Sequence, residues 1–260
     1  MNRPRVVVLN SASVDGRIAV SPDTLLLHGD ERWHAVEEWS PVPGPSNLFE
    51  GLKFIHKPQA TLEGSGSFLK EDDEPEPLPP FEDNPQTLYQ DFLPDAIVHR
   101  PEHRGWFTAV DGRGRIRWYY KEYPDEAWKG WYPLVLVAHH TPAEYLAYLQ
   151  REDIPYLVAG GEETHVDLRL ALEKVRAKLG VTCVLSTAGG KLNGALLRAG
   201  LVDEINIELL PAIIGGTETP SLFDSPALGL DEWPARLELI SAQVQAEVRV
   251  WLRYQVVPAR

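Results

Sequence analysis

The stretch of this 260-residue chain best equipped for chemistry is the apolar run Thr182–Leu185 followed by Ser186-Thr187-Ala188-Gly189-Gly190-Lys191-Leu192-Asn193. The run reads as a buried strand, the glycines as a turn, and Leu192–Arg198 as a helix closed by Gly200. In an open α/β sheet, ligands bind beyond the carboxyl ends of the strands. A helix N-terminus there offers unpaired amide N–H groups and a partial positive charge to a phosphate. Gly189 and Gly190 remove side chains where such a ligand would approach, and Lys191 adds a cation. A turn needed only for tight packing explains the same residues equally well. Two weaker glycine turns also follow strand-like runs: Gly64-Ser65-Gly66-Ser67 after Ala60-Thr61-Leu62, and Gly160-Gly161 after Tyr156–Ala159. The first lacks the third glycine and the opening helix of a dinucleotide fingerprint. Together, the three turns suggest a long ligand laid across one edge of a sheet.

Other chemistries find less support. His139-His140 follows a strand but has no third ligand at metal spacing, and His28, His34 and His56 are scattered. Ser186 lies outside a G-x-S-x-G elbow, and no G-x-x-x-x-G-K-[ST] loop is present. The single cysteine, Cys183, sits in an apolar run and reads as a core thiol, so neither an intrachain disulfide nor a cysteine-based zinc site is expected. With 25 basic and 38 acidic residues the formal charge is −13, which disfavours a basic face for nucleic acid. No run approaches the ~18 apolar residues of a membrane span, and the N-terminus has no signal-peptide layout. A cytoplasmic protein with no nucleic-acid and no membrane partner is expected.

These residues must be positioned by alternating strands and helices. Strands are expected at Val6–Leu9, Leu134–Ala138, Glu204–Leu210 and Val244–Val257, the last near a sheet edge. Helices are expected over Asp30–Trp39, over Pro142–Gln150 with Thr141 as N-cap, and over Val166–Leu179 closed by Gly180. Trp106–Val110, Asp111–Gly114 and Arg115–Tyr120 read as a hairpin. Strand, helix, strand, helix, strand over Tyr156–Leu210 marks a parallel sheet with crossover helices; the hairpin and the C-terminal strand make it mixed. Lys70–Pro85 is acidic and proline-rich, an extended loop by composition. One α/β domain over residues 1–260, with an acidic Pro-rich insertion at about 70–100, accounts for the chain.

Ser11-Ala12-Ser13-Val14-Asp15-Gly16-Arg17-Ile18-Ala19 resembles the "A-x-S-L-D-G-K-I-A" opening of the riboflavin-biosynthesis reductases, the reductase half of the bifunctional deaminase-reductase. Gly64-Ser65-Gly66-Ser67 resembles their "G-x-G-T". Val184–Gly216 resembles their "V-E-G-G-G-x-L-N … G-L-V-D-E … P-x-x-x-G-G", and the matches span about Ser11 to Gly216.

The resemblance implies a single-domain dihydrofolate reductase-like fold, with a central mixed, mostly parallel sheet flanked by helices, a homodimer, and NADPH as cofactor. It implies cofactor contacts at Ala12, Gly64, Ser67, Glu71, Gly161, Val166, Ala188, Gly189, Gly190, Lys191, Leu192 and Asn193, and substrate contacts at Asn10, Asp15 and Thr187. The implied reaction reduces the ribosylamino group of a phosphorylated diaminopyrimidinone to ribitylamino, with hydride delivered to C1′ of an opened imine. That step calls for positioning and no protein nucleophile, and no catalytic residue is assigned. The chain departs from the pattern where the family's acid before the glycines is Thr187, where its first glycine is Ala188, and where its substrate-phosphate arginine lacks a clear counterpart. These departures leave open an NADPH reductase of the same fold acting on a pterin or another heterocycle. The acidic insertion leaves open a catalytically silent, nucleotide-binding homologue. The family's zinc-dependent deaminase half has no counterpart, since one cysteine cannot supply its ligands.

Overall fold

A computed structural model describes residues 2–24, 30–39, 48–70, 73–122, 126–160, 165–245 and 248–258. In chain order its elements are β1 (Arg5–Ser13), α1 (Glu31–Glu38), α2 (Leu48–His56), β2 (Ala60–Gly64), α3 (Asp95–Val98), β3 (Gly105–Val110), β4 (Trp131–Val137), α4 (Ala143–Arg151), β5 (Tyr156–Val158), α5 (Leu168–Leu179), β6 (Cys183–Ser186), α6 (Gly190–Arg198), β7 (Glu204–Leu210), β8 (Arg236–Gln245) and β9 (Arg249–Val257). The strands form a nine-stranded sheet in the order β5-β4-β3-β2-β6-β1-β7-β9-β8. The pairs β2–β3, β3–β4, β4–β5 and β1–β7 are parallel, while β7–β9 and β8–β9 are antiparallel. This is the mixed, mostly parallel sheet flanked by helices that the sequence pattern predicts.

Contacts divide the chain into two compact units, with the boundary inside β6. In the first, β2 to β5 lie side by side, and all seven residues of β4 are buried, as expected where both sheet faces are covered. Helix α4 buries Tyr145, Leu146 and Leu149, and α5 buries Ala171, Leu172 and Val175, each along one stripe. Helix α5 starts at the Asp167 cap and ends at Gly180 in the left-handed conformation (φ 69°), which glycine adopts without steric cost. The second unit holds β1, β7, β9 and β8 with α1, α2 and α6.

Three local expectations need correction. Thr141 does not cap α4, whose N-cap is Pro142; its hydroxyl donates to the Gly112 carbonyl and accepts from the Ala138 amide. The expected hairpin at 106–120 is absent: β3 pairs in parallel with β2 and β4, and residues 111–120 form no strand. Ile116 and Trp118 still point inward at strand spacing, but their amides are satisfied by the Asp111 carboxylate and the Tyr148 hydroxyl rather than by a partner strand. The single strand expected at Val244–Val257 is the end of β8 plus β9, and this hairpin supplies the antiparallel part of the sheet. Helix α2 and most of β8 lie outside every element expected from the sequence.

Candidate functional site

In the second unit, the last residues of β6 run through Thr187, Ala188 and Gly189 into α6. Gly189 is the N-cap, in extended backbone (φ −68°, ψ 169°), and brings no side-chain oxygen to the first turn. Helix α6 therefore begins without a side-chain cap from its N-cap residue, at the positive end of its dipole. Lys191 stands exposed on that first turn.

A buried amide network fixes the turn. The Ser186 hydroxyl donates to Asn193 Oδ1 (2.8 Å), and Asn193 Nδ2 donates to the Ala188 carbonyl (2.7 Å) and to Asn10 Oδ1 (2.9 Å). Asn10 Nδ2 donates to the same Ala188 carbonyl at 3.1 Å. Asn193 is fully buried and its backbone amide donates to Gly189, so its donors are committed inside the protein. Asn193 and Asn10 thus hold the turn through their side chains. Gly190 is also closely packed. A methyl there would run into the Ser221 carbonyl and the Asp224 carboxylate, and one on Gly194 into the Asp224 carbonyl. Both glycines make room for the 221–225 segment, whose Asp224 amide donates to the Gly190 carbonyl.

Asp15, beyond the end of β1, accepts from the Ser13 hydroxyl (2.6 Å), the Gly215 amide (2.7 Å) and the Ile214 amide (3.1 Å). These bonds, that from Ser13 foremost, hold its carboxyl at about 2. Asp15 therefore pins the loop at Ile214–Gly216, where Gly215 and Gly216 take positive φ (75° and 81°). Nearby, Arg17 donates from Nη1 to the Thr219 carbonyl (2.7 Å), and its buried Nε–H has no partner among the described residues. Ala12 and Ala188 are fully buried and Ser67 nearly so, whereas Thr187, Gly189 and Leu192 are half-buried. In the first unit, Gly64 ends β2 and Val166 precedes α5, both half-buried. Glu71 and Gly161 lie outside the described residues.

The second unit also carries a buried ionic row that sequence reasoning missed. On β7, Glu204 accepts from Arg5 (2.9 Å) and Arg253 (2.8 Å) and contacts His56 Nε2 (3.2 Å). Asn206 accepts from the Trp251 indole, and Glu208 pairs with Arg249 (3.1 Å) and Ser11 (2.8 Å). Burial alone would raise the Glu204 carboxyl; the bonds from His56 and Arg253 outweigh it and bring it to about 2. The available signal was a polar residue at every second position, Glu204-x-Asn206-x-Glu208, in an otherwise apolar strand. Among the described residues, no group of three or more His, Cys, Asp or Glu side chains is arranged to hold a metal, and no helix is long and apolar enough to cross a membrane.

Residues 120–248 match the family model of the RibD C-terminal domain. The chain is 27 % identical over 244 residues to the 2,5-diamino-6-ribosylamino-4(3H)-pyrimidinone 5′-phosphate reductase of Methanothermobacter thermautotrophicus, covering 91 % of each chain. Its fold matches a pyrimidine reductase-like protein of Corynebacterium diphtheriae (TM-score 0.62, 17 % identity, 99 % of this chain and 94 % of the other). It also matches the riboflavin biosynthesis reductase of Saccharomyces cerevisiae (TM-score 0.55, 14 % identity, 99 % and 91 %). At such identities the two structures speak for the fold alone.

Proposed function

The chain belongs to the riboflavin-biosynthesis reductase family, and from that premise we propose that it reduces the ribosylamino group of a diaminopyrimidinone ribose 5′-phosphate to ribitylamino with NADPH. It is an oxidoreductase of the nicotinamide-dependent kind. The observation that carries the reading is the α6 N-terminus, uncapped at Gly189 and held rigid by Asn10, Asn193 and Ser186. Backbone amides of Gly189–Leu192 fit a cofactor phosphate there, and Lys191 adds charge against a net −13 protein.

When bound, the cofactor supplies the hydride; the protein's own task is orientation. The three bonds to Asp15 keep the 214–216 loop in place. Arg17, whose buried Nε–H has no partner among the described residues, is the cation we assign to the substrate's anionic group. The resemblance adds Gly64, Ser67 and Val166, together with Glu71 and Gly161, as further cofactor contacts, and Thr187 as a substrate contact in place of the family's acid.

We also propose a cytoplasmic homodimer. Strand β8 lies at the outer edge of the sheet with Leu237, Leu239, Ile240 and Val244 at 39, 59, 43 and 70 % exposure. An edge strand so apolar is ordinarily covered by a partner. Light scattering should give twice the chain mass, and Val244→Lys should return a monomer; a wild-type monomer would overturn the assignment.

The activity is tested by NADPH oxidation with the diaminopyrimidinone phosphate, with dihydrofolate as the competing heterocycle. Oxidation only with the former, yielding the ribityl product by mass spectrometry, is expected. Oxidation only with dihydrofolate would replace the proposed substrate.

A further inference from the structure

The acidic, proline-rich segment after Lys70 is docked rather than merely solvated. Between residues 73 and 83, only Pro75, Leu78 and Phe81 are half-buried, and the residues between them are exposed. That three-residue period is the repeat of a polyproline II helix, which has three residues per turn and no internal hydrogen bonds. Prolines 75, 77, 79 and 80 favour it by restricting φ and removing donors. Carbonyls repeat at the same interval. Arg115 Nη2 donates to the Asp73 carbonyl (2.6 Å), and Arg117 donates to the Glu76 carbonyl from both Nε (3.0 Å) and Nη2 (2.8 Å). None of residues 74–83 donates a main-chain hydrogen bond to the main chain of another described residue.

The receiving surface belongs to the same unit. Arg117, Trp118, Tyr119, Tyr148 and Arg151, with Glu76–Pro79 opposite, line a cavity of about 400 Å³. The guanidinium groups of Arg117 and Arg151 lie 5.9 and 5.7 Å from the Tyr148 ring centroid. The Trp118 amide donates to the Tyr148 hydroxyl (2.8 Å), which fixes one aromatic against the other. The groove is cationic and aromatic, whereas the segment carries Asp73, Glu74, Glu76, Glu82 and Asp83.

Aromatic walls that take an apolar side chain at every third residue, with donors aimed at carbonyls, are how polyproline II ligands are read elsewhere. We propose that this face is a polyproline II recognition groove, occupied in cis by residues 73–81 and able to take an acidic proline-rich peptide in trans when that strap is released. Tethering places the strap at an effective concentration of millimolar order, so the wild-type chain should resist a free competitor.

The test uses the full chain and a fluorescein-labelled peptide of residues 72–83. A strap-released variant, Pro75→Ser/Leu78→Ser/Phe81→Ser, should bind the peptide saturably by anisotropy, at least about tenfold more tightly than wild type. Adding Arg117→Ala to that variant should weaken binding by about tenfold or more. Absence of saturable binding by a variant with wild-type circular dichroism, or binding indifferent to Arg117, would overturn the proposal. Should the triple variant fail to fold, Arg117→Ala in the wild-type chain serves instead. Limited proteolysis within residues 73–83 should then accelerate severalfold, and unchanged protection would count against the groove.

Discussion

The two helices that follow glycine-bearing strand ends, α5 and α6, start in opposite ways. At α5, the Asp167 carboxylate accepts from the Leu170 amide at 3.0 Å, so the helix brings its own anion. At α6, Gly189 brings none, and the preceding turn is held instead from behind by Asn10, Asn193 and Ser186. An acid at an N-cap satisfies orphan amides and compensates the dipole; a second anion there would be repelled. A glycine cap supplies no such anion of its own. The contrast teaches that two helices after glycine-bearing strand ends can differ in whether the cap residue supplies an anion, and that a cap without one is steadied by other side chains, here Asn10, Ser186 and Asn193.

Breaking the contrast outright should have the largest effect. Gly189→Val should abolish NADPH binding, measured by tryptophan quenching, because its side chain fills the space the phosphate needs. The matched change Asp167→Ala should leave cofactor affinity unchanged and lower stability by about 1 kcal/mol, the usual worth of a cap. If Gly189→Val binds normally, or Asp167→Ala loses the cofactor, the two N-termini have been assigned the wrong way round.

Asn193→Ala sharpens the second half of the comparison. It strips the turn of its central amide and leaves the buried Ser186 hydroxyl and the half-buried Asn10 Oδ1 without that partner, at a cost of about 1–3 kcal/mol. Stability by urea titration should fall by that amount, and NADPH affinity with it. An unchanged cofactor affinity would mean that the turn needs no support.

The smallest effect at working pH comes from the ionic row on β7. Glu204 has its carboxyl at about 2 in the folded protein, below its ordinary 4.5. Its contribution is therefore complete above roughly pH 5 and is lost as pH falls toward 2. The urea midpoint should drop over that interval in wild type and less steeply in Glu204→Gln. Parallel curves would show that the carboxylate is not coupled to folding.

Much of this architecture was legible in local pattern. Helical spacing of Leu172, Val175 and Leu179 with Gly180 behind them located α5, and apolar runs located most strands, because burial and capping act over a few residues. Family-like motifs likewise marked the α6 turn. The misreadings share one cause. Residues 111–120 look like half a hairpin, yet their amides are met by Asp111 and Tyr148 and their arginines by the strap carbonyls, none of which adjacent sequence announces. Asn10, Asp15, Gly190 and Asn193 cluster in recognisable motifs that say nothing of their partners inside the protein. Only the folded chain shows their polar atoms turned toward Ala188, Ile214 and Gly215, or their bare Cα pressed on Ser221. By itself the sequence determined where glycine-rich turns and amphipathic elements fall, since those follow from neighbouring residues. Which amides and carbonyls are met by side chains was decided by partners as many as 212 residues away, which only tertiary packing brings within hydrogen-bonding distance.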